Sequence, residues 1–298
     1  MLRRPAPLLF AFLLLVASAG ADDFARDLEQ WKADRVARLT APDSWLSLIG
    51  LHWLQPGDNS VGTAEDCSIR LSAGPAYLGT VHLAADRRVT FIAAPGSLAN
   101  SDGAPVPGAK HGAVELAYAG PRPTKVVAQN VSFVVLQRGD KLGLRVRDTQ
   151  SPRRVHFAGL DYFPADPAWR IEAQWVPFTP PREIPITNVL GQTTPNRVPG
   201  KAVFTHAGQT YELLPVGDDP GEPLFFIIAD ATSGTETYGA ARFVYAEPPK
   251  DGKVVLDFNR AMNPPCAFTP FATCPLPPKE NRLPFAVTAG EKNYRGEH

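Results

Sequence analysis

Cys266 and Cys274 are separated by seven residues in NPPCAFTPFATCPLPPKENR (263–282), a stretch that holds six prolines. Three chemistries use such a pair: a disulfide, a metal site or a nucleophilic thiolate. A zinc site needs three or four ligands at characteristic spacings. The chain has neither a Cys-x-x-Cys nor a His-x-x-x-His pattern, so no metal and no cofactor is expected. A catalytic thiolate needs a neighbouring base and a lowered pKa. His52, His82, His111, His156 and His206 are all distant in sequence, although folding is able to bring one near. The expectation is a Cys266–Cys274 disulfide, the commonest fate of such a pair outside the cytoplasm. Closing a nine-residue ring stabilises by about 2.6 kcal/mol at most, and by less here because Pro270 already restricts the unfolded loop. Cys67 is left over at the start of a strand and is expected to be buried and inert.

Polar residues flank the same stretch. Asp230, Tyr238, Arg242, Asp257, Asn259 and Arg260 precede it, Asn263, Asn281 and Arg282 stand at its two ends, and Glu291 follows it. Strand alternation places Arg242 on one face of YGAARFVYA and Asp257 on one face of KVVLDFN, where the two would meet if those strands pair. One reading makes the cluster a set of salt bridges and side-chain-to-backbone bonds that hold an irregular loop. The other makes it a pocket for a carboxylate, phosphate or sugar, or a glycosidase carboxylate pair drawn from Asp230, Asp257 and Glu291. Serine chemistry has no Gly-x-Ser-x-Gly elbow to work from, and Ser233 in DATSG reads as a turn residue. Trp45, Trp53, Trp169 and Trp175 sit in apolar strand patterns and read as core.

The elements that must position these residues are mainly β. DDFARDLEQWKADRVARL places Phe24, Leu28, Trp31, Val36 and Leu39 near helical spacing, with Pro42 as the stop. This predicts one short amphipathic helix. From Trp45 onward short apolar runs alternate with turn signals: WLSLIGLHWL, CSIRL, YLGTVHL, RRVTFIA, AVELAY, TKVVAQN and the hairpin VSFVVLQRGDKLGLRVRD. Such spacing predicts a β-sandwich. TPPREIPITNVLGQTTPNRVPG (179–200) reads as a linker. Beyond it AVFTHAGQTYELLPV, PLFFIIAD, YGAARFVYA, KVVLDFN and LPFAVTAG predict a second β-rich domain, a sheet or barrel, over 201–298. The first domain then covers 22–178.

Thirty basic and thirty acidic residues give a formal net charge of zero, which argues against nucleic acid as the main partner. Residues 1–21 read as a signal peptide. Arg3-Arg4 precede the apolar run Leu8–Ala19 and small-x-small cleavage sites at Ala17–Ala19 and Ala19–Ala21. That run is shorter than the ~20 residues a span requires, so no transmembrane segment is expected after cleavage. The implied location is periplasmic or secreted.

Two resemblances add to this reading. GDNSVG, CSIRL, GTVHL and NSDG, within Gly57–Asp148, weakly resemble the forkhead-associated sandwich. The phosphothreonine-reading residues do not carry over, since Thr63 and Gly79 stand where that family has arginine and serine. WLSLIGLHWLQPGDNSVG, DATSGTETYGAARF and LDFNRAMNPPCAFTPFATCPLPPKENRLPFAVTAGEK resemble the bacterial and archaeal family catalogued as domain of unknown function 1684. Met262 departs from it, where an aromatic is typical. That resemblance implies that these segments fold together, and it carries over no activity or ligand.

The expectation for function is an exported, noncatalytic protein that binds a small anionic ligand or a cell-envelope glycan. The alternative is a hydrolase using Asp257 and Glu291.

Overall fold

Alternation of Val, Phe and Leu along 131–148 builds the ladder that organises the first half of the chain. Val131–Arg138 pairs with Lys141–Asp148 around a two-residue Gly139-Asp140 turn, with Phe133 opposite Val146 and Val135 opposite Leu144. The computed structural model describes residues 10–106, 112–217 and 221–296, with residues 10–21 described by their backbone alone. The expected signal peptide therefore begins outside the described residues, and from Phe10 its backbone belongs to a helix ending at Thr40. Among the described residues no helix is long and apolar enough to cross a membrane.

The chain divides into two compact units. One comprises Arg38–Ala158 with Phe268–Thr273. Its six-stranded and five-stranded sheets enclose a single core of inward Val, Ile, Leu and Phe side chains. Phe91 and Phe133 meet there edge to face, with ring centroids 5.4 Å apart. This is the expected sandwich. CSIRL and AVELAY contribute only the two-residue strands Ile69–Arg70 and Val114–Glu115.

The other unit comprises the N-terminal helix through Ala37, Gly159–Ala267 and Cys274–Arg295. Arg170–Thr187 and Thr193–His206 form a long antiparallel ribbon, flanked by Gln209–Leu213 on one side and Lys253–Asp257 on the other. This sheet is a half-barrel. Its tight turns are Ala207-Gly208, with φ of 49° and 77°, and Asp251-Gly252, with φ of 52° and 72°. Two positive φ values in a two-residue hairpin loop match the right-handed twist of the strands. Leu224–Ile228 pairs with Arg242–Ala246 as a separate hairpin. Its Phe226, Ile228 and Val244 share a core with Ala173, Ala202, Phe204, Val254 and Leu256.

Three expectations need correction. The helix through Ala37 groups with the second unit, and the first unit ends at Ala158 rather than at 178. The linker expected at 179–200 is instead the outer arm of the ribbon, where Ile184 pairs with Asn196 and Pro185 with Pro195. Lys253–Asp257 flanks only 170–174, and Gln209–Leu213 flanks only 202–206. Among the described residues no further strand flanks the outer arm, whose edges carry single bonds from Leu276 N to Thr187 O and from Gly217 N to Arg197 O; such edges are where proline is tolerated. LPFAVTAG forms no strand, yet its Leu283, Val287 and Ala289 enter the core. Truncation in the sandwich core, Phe91→Ala, should lower the unfolding free energy by about 3–5 kcal/mol, to be measured by urea titration.

Candidate functional site

Arg242 opens its strand opposite Ile228, and Asp230 follows two residues beyond Ile228, so the carboxylate emerges beside the guanidinium. Arg242 is 1% exposed. Its Nη2 donates to Asp230 Oδ2 at 2.7 Å and to Val287 O at 2.9 Å, and its Nη1 donates to Ala289 O. Burial pulls the Arg242 pKa down from its ordinary value, and the charge and hydrogen bond of Asp230 oppose that, with a further contribution from Glu291. Asp230 Oδ1 accepts from Thr232 N at 2.8 Å, Thr232 Oγ1 at 2.6 Å and Val287 N at 3.2 Å. The pair thus ties DATSG to the strandless 287–289 segment.

Glu291 is held by a second arginine that sequence reasoning missed. Arg35 Nε donates to Glu291 Oε1 at 2.8 Å, and Asn263 N donates to Glu291 Oε2 at 2.7 Å. Arg35 Nη2 also donates to Asn263 O at 2.9 Å. A signal for it existed: Arg35 lies at helical spacing between Leu28 and Leu39, a charge on the apolar stripe. Asn263 Nδ2 donates to Lys292 O at 2.7 Å. Gly290 makes the turn between these two clusters at φ 78°, with the position of an added Cβ only 2.4 Å from Ala261 O. No side chain fits there.

The remaining amides bind backbone. Asn281 bonds to both the N–H and the C=O of Leu214, at 2.8 Å each, and to Ile227 O at 2.9 Å. It replaces a missing strand neighbour. Asn259 does the same for Asp166 N and O, and also donates to Asp257 Oδ1. Arg282 is exposed and contributes only a backbone bridge to Ala229. Arg242 and Asp257 do not meet, because their strands belong to different sheets. Asp257 lies 3.5 Å from Arg260 Nε, and Arg260 Nη2 bonds to Asp27 of the helix.

The expected Cys266–Cys274 disulfide is not formed in the structure. The ring it would close is instead held by reciprocal hydrogen bonds, Cys266 N to Cys274 Sγ at 3.1 Å and Cys274 N to Cys266 Sγ at 3.2 Å. Tyr238 Oη donates to Cys266 O at 3.2 Å. Burial pushes the Tyr238 phenol up, with smaller effects from Cys266 and Cys274. Cys67 is buried, and burial raises its thiol pKa. Among the described residues no group of three or more His, Cys, Asp or Glu side chains is placed to hold a metal.

Two grooves open on this unit. One, of ≈ 730 Å³, is charged and is lined by Arg170, Glu172, Lys253, Asp257 and Arg260. The other, of ≈ 540 Å³, is apolar and is lined by Trp175, Phe225 and five prolines. Tyr245 and Pro248 line both. Tyr245 is 46% exposed and stacks on Phe225 with centroids 4.9 Å apart. Burial pushes its phenol up, partly offset by the charge of Arg35. Trp175 passes over Gly200, where an added Cβ would lie 2.5 Å from Trp175 Cζ2. Of the ten polar residues singled out from the sequence, Asp257 and Arg260 line the charged groove.

Arg242→Met would strand a buried carboxylate, and Glu291→Gln a buried guanidinium. Each should lower the unfolding free energy by about 3–5 kcal/mol. Arg282→Ala, at an exposed position, should stay within about 0.5 kcal/mol. Guanidinium chloride titrations distinguish the two classes.

Comparison with known proteins adds relationship rather than activity. No curated protein matches the chain. A solution NMR structure of an uncharacterized protein of Haloarcula marismortui is 33% identical, over 47% of this chain and 78% of that one, with a TM-score of 0.40. A crystal structure of Rad53 with AMP-PNP matches at 9% identity over 74% of this chain and 50% of that one, with a TM-score of 0.16. Neither supports the forkhead-associated likeness. A family model matches residues 155–292, the stretch that supplies Asp230, Arg242 and Glu291. The chain belongs to the family described as a protein of unknown function, DUF1684.

Proposed function

We propose that the chain is an exported, noncatalytic binding protein whose ligand is a cell-envelope glycan lying along the trough at Tyr245. The observation that carries this reading is the place of that ring: half-exposed, and lining an aromatic groove and a charged groove at once. Sugar rings present C–H faces that pack on aromatic faces, and hydroxyl or acidic groups that seek charged partners. Trp175 and Tyr245 offer the first kind of surface. Arg170, Glu172 and Lys253 offer the second. A small anion alone is less well served, because the buried guanidinium of Arg242 is committed to Asp230 and to backbone carbonyls.

The hydrolase reading is the weaker one. Glu291 is 0% exposed and both its oxygens are engaged, which leaves Asp257 without it as a catalytic partner. Export rests on the basic start and apolar run of residues 1–21. In an oxidising compartment Cys266 and Cys274 would join as a disulfide.

Titration of the purified protein with neutral, N-acetylated and uronic-acid oligosaccharides, followed by tryptophan fluorescence and calorimetry, tests the binding reading. Binding of one class is expected, weakened about tenfold (~1.4 kcal/mol) by Tyr245→Ala or Trp175→Ala at a temperature where melting curves show each variant still folded. Absence of binding by all three classes, or indifference to both substitutions, refutes it.

A further inference from the structure

The two cysteines differ in a way that a purely structural staple does not require. Cys274 is buried, whereas Cys266 is of intermediate burial. Each sulfur accepts a backbone N–H from the other's residue, an arrangement that stabilises negative charge on sulfur and ties the two residues to each other. The thiol of Cys266 is lowered from its ordinary value, first by a hydrogen bond from the Cys274 side chain, with burial opposing and backbone hydrogen bonds assisting. Cys67 moves the opposite way, pushed up by burial and by Asp66. The less buried of the two cysteines is thus the one whose sulfur is held by a backbone N–H and shifted toward the thiolate, with the buried Cys274 beside it.

We infer that Cys266 and Cys274 form a thiol–disulfide exchange site for small aliphatic disulfides, with Cys266 as the attacking thiol and Cys274 as the resolving thiol. This rests on the pairing of the two cysteines proposed above and is independent of the glycan reading. The Cys266 thiolate attacks one sulfur of the small disulfide, forms a mixed disulfide and expels one small thiolate. Cys274 then gives up its proton to that thiolate and attacks the Cys266 sulfur. The Cys266–Cys274 bond forms and the second small thiolate leaves, to be protonated by water. The protein loses two electrons, and the small disulfide gains them as two thiols. The backbone bonds Tyr238 Oη to Cys266 O and Val189 N to Cys274 O hold the two residues in place through the cycle.

Oxidised glutathione, added to the fully reduced protein and followed by acid quench and peptide mass mapping, is the test. The wild type should end with Cys266 joined to Cys274 and no adduct retained. Cys274→Ser should accumulate one glutathione at Cys266, and Cys266→Ser should react at least tenfold more slowly at Cys274. An adduct that persists at Cys266 in the wild type overturns the resolving role. Adduct formation at Cys274 in Cys266→Ser as fast as at Cys266 in Cys274→Ser overturns the order of attack. Diamide oxidation of the wild type reports the pairing separately. A Cys266–Cys274 bond formed there, with no glutathione reaction at either cysteine, leaves the pairing standing and removes the exchange site.

Discussion

The buried pair between Arg242 and Asp230 is the constraint on which the C-terminal half depends. Among the described residues the chain beyond Phe258 contains no strand, so its backbone polar groups have no ladder to satisfy them. Two arginines, two carboxylates and three asparagines take the ladder's place, each spending its hydrogen bonds on main chain as well as on one another. Burying such charges is expensive unless every oxygen is engaged. Here Asp230 and Glu291 accept on both oxygens. A segment rich in proline, with few amide donors of its own, is thereby held in one conformation.

That economy separates architecture from recognition. Asp230 and Glu291 spend their oxygens on main chain and on arginine, and the polar cluster supports the segment it ties down. The surfaces with capacity to spare lie elsewhere, where Tyr245 stands between an aromatic wall and a charged one. The support still matters to the trough. Arg35, which fixes Glu291, also bears electrostatically on Tyr245, so the helix, the irregular segment and the exposed ring share one set of charges.

Much of the fold was legible in the sequence wherever a period of two ran uninterrupted, as in 131–148, or a period of 3.6 did, as in 24–39. The ribbon was not, because its prolines mimic a linker until the absence of outer neighbours is known. The meeting of Arg242 with Asp257 was inferred from alternation, which gives the face of a strand but not its partner. Asp230 is the partner because its strand lies alongside in the hairpin. Arg35 is legible as a charge on an apolar stripe, but its partner Glu291 lies 256 residues away and nothing local points to it. The trough was beyond reach, since Trp175, Phe225 and Tyr245 come from three segments whose adjacency only the folded sheets determine.

The outer arm of the ribbon has one more consequence. Exposed strand edges invite a neighbouring molecule to extend the sheet. Pro180, Pro181, Pro185, Pro195 and Pro199 lie along that arm, and each deletes an amide that an incoming strand would have to use. The residues that disguise this segment as a tether also blunt its edges against pairing with a further strand.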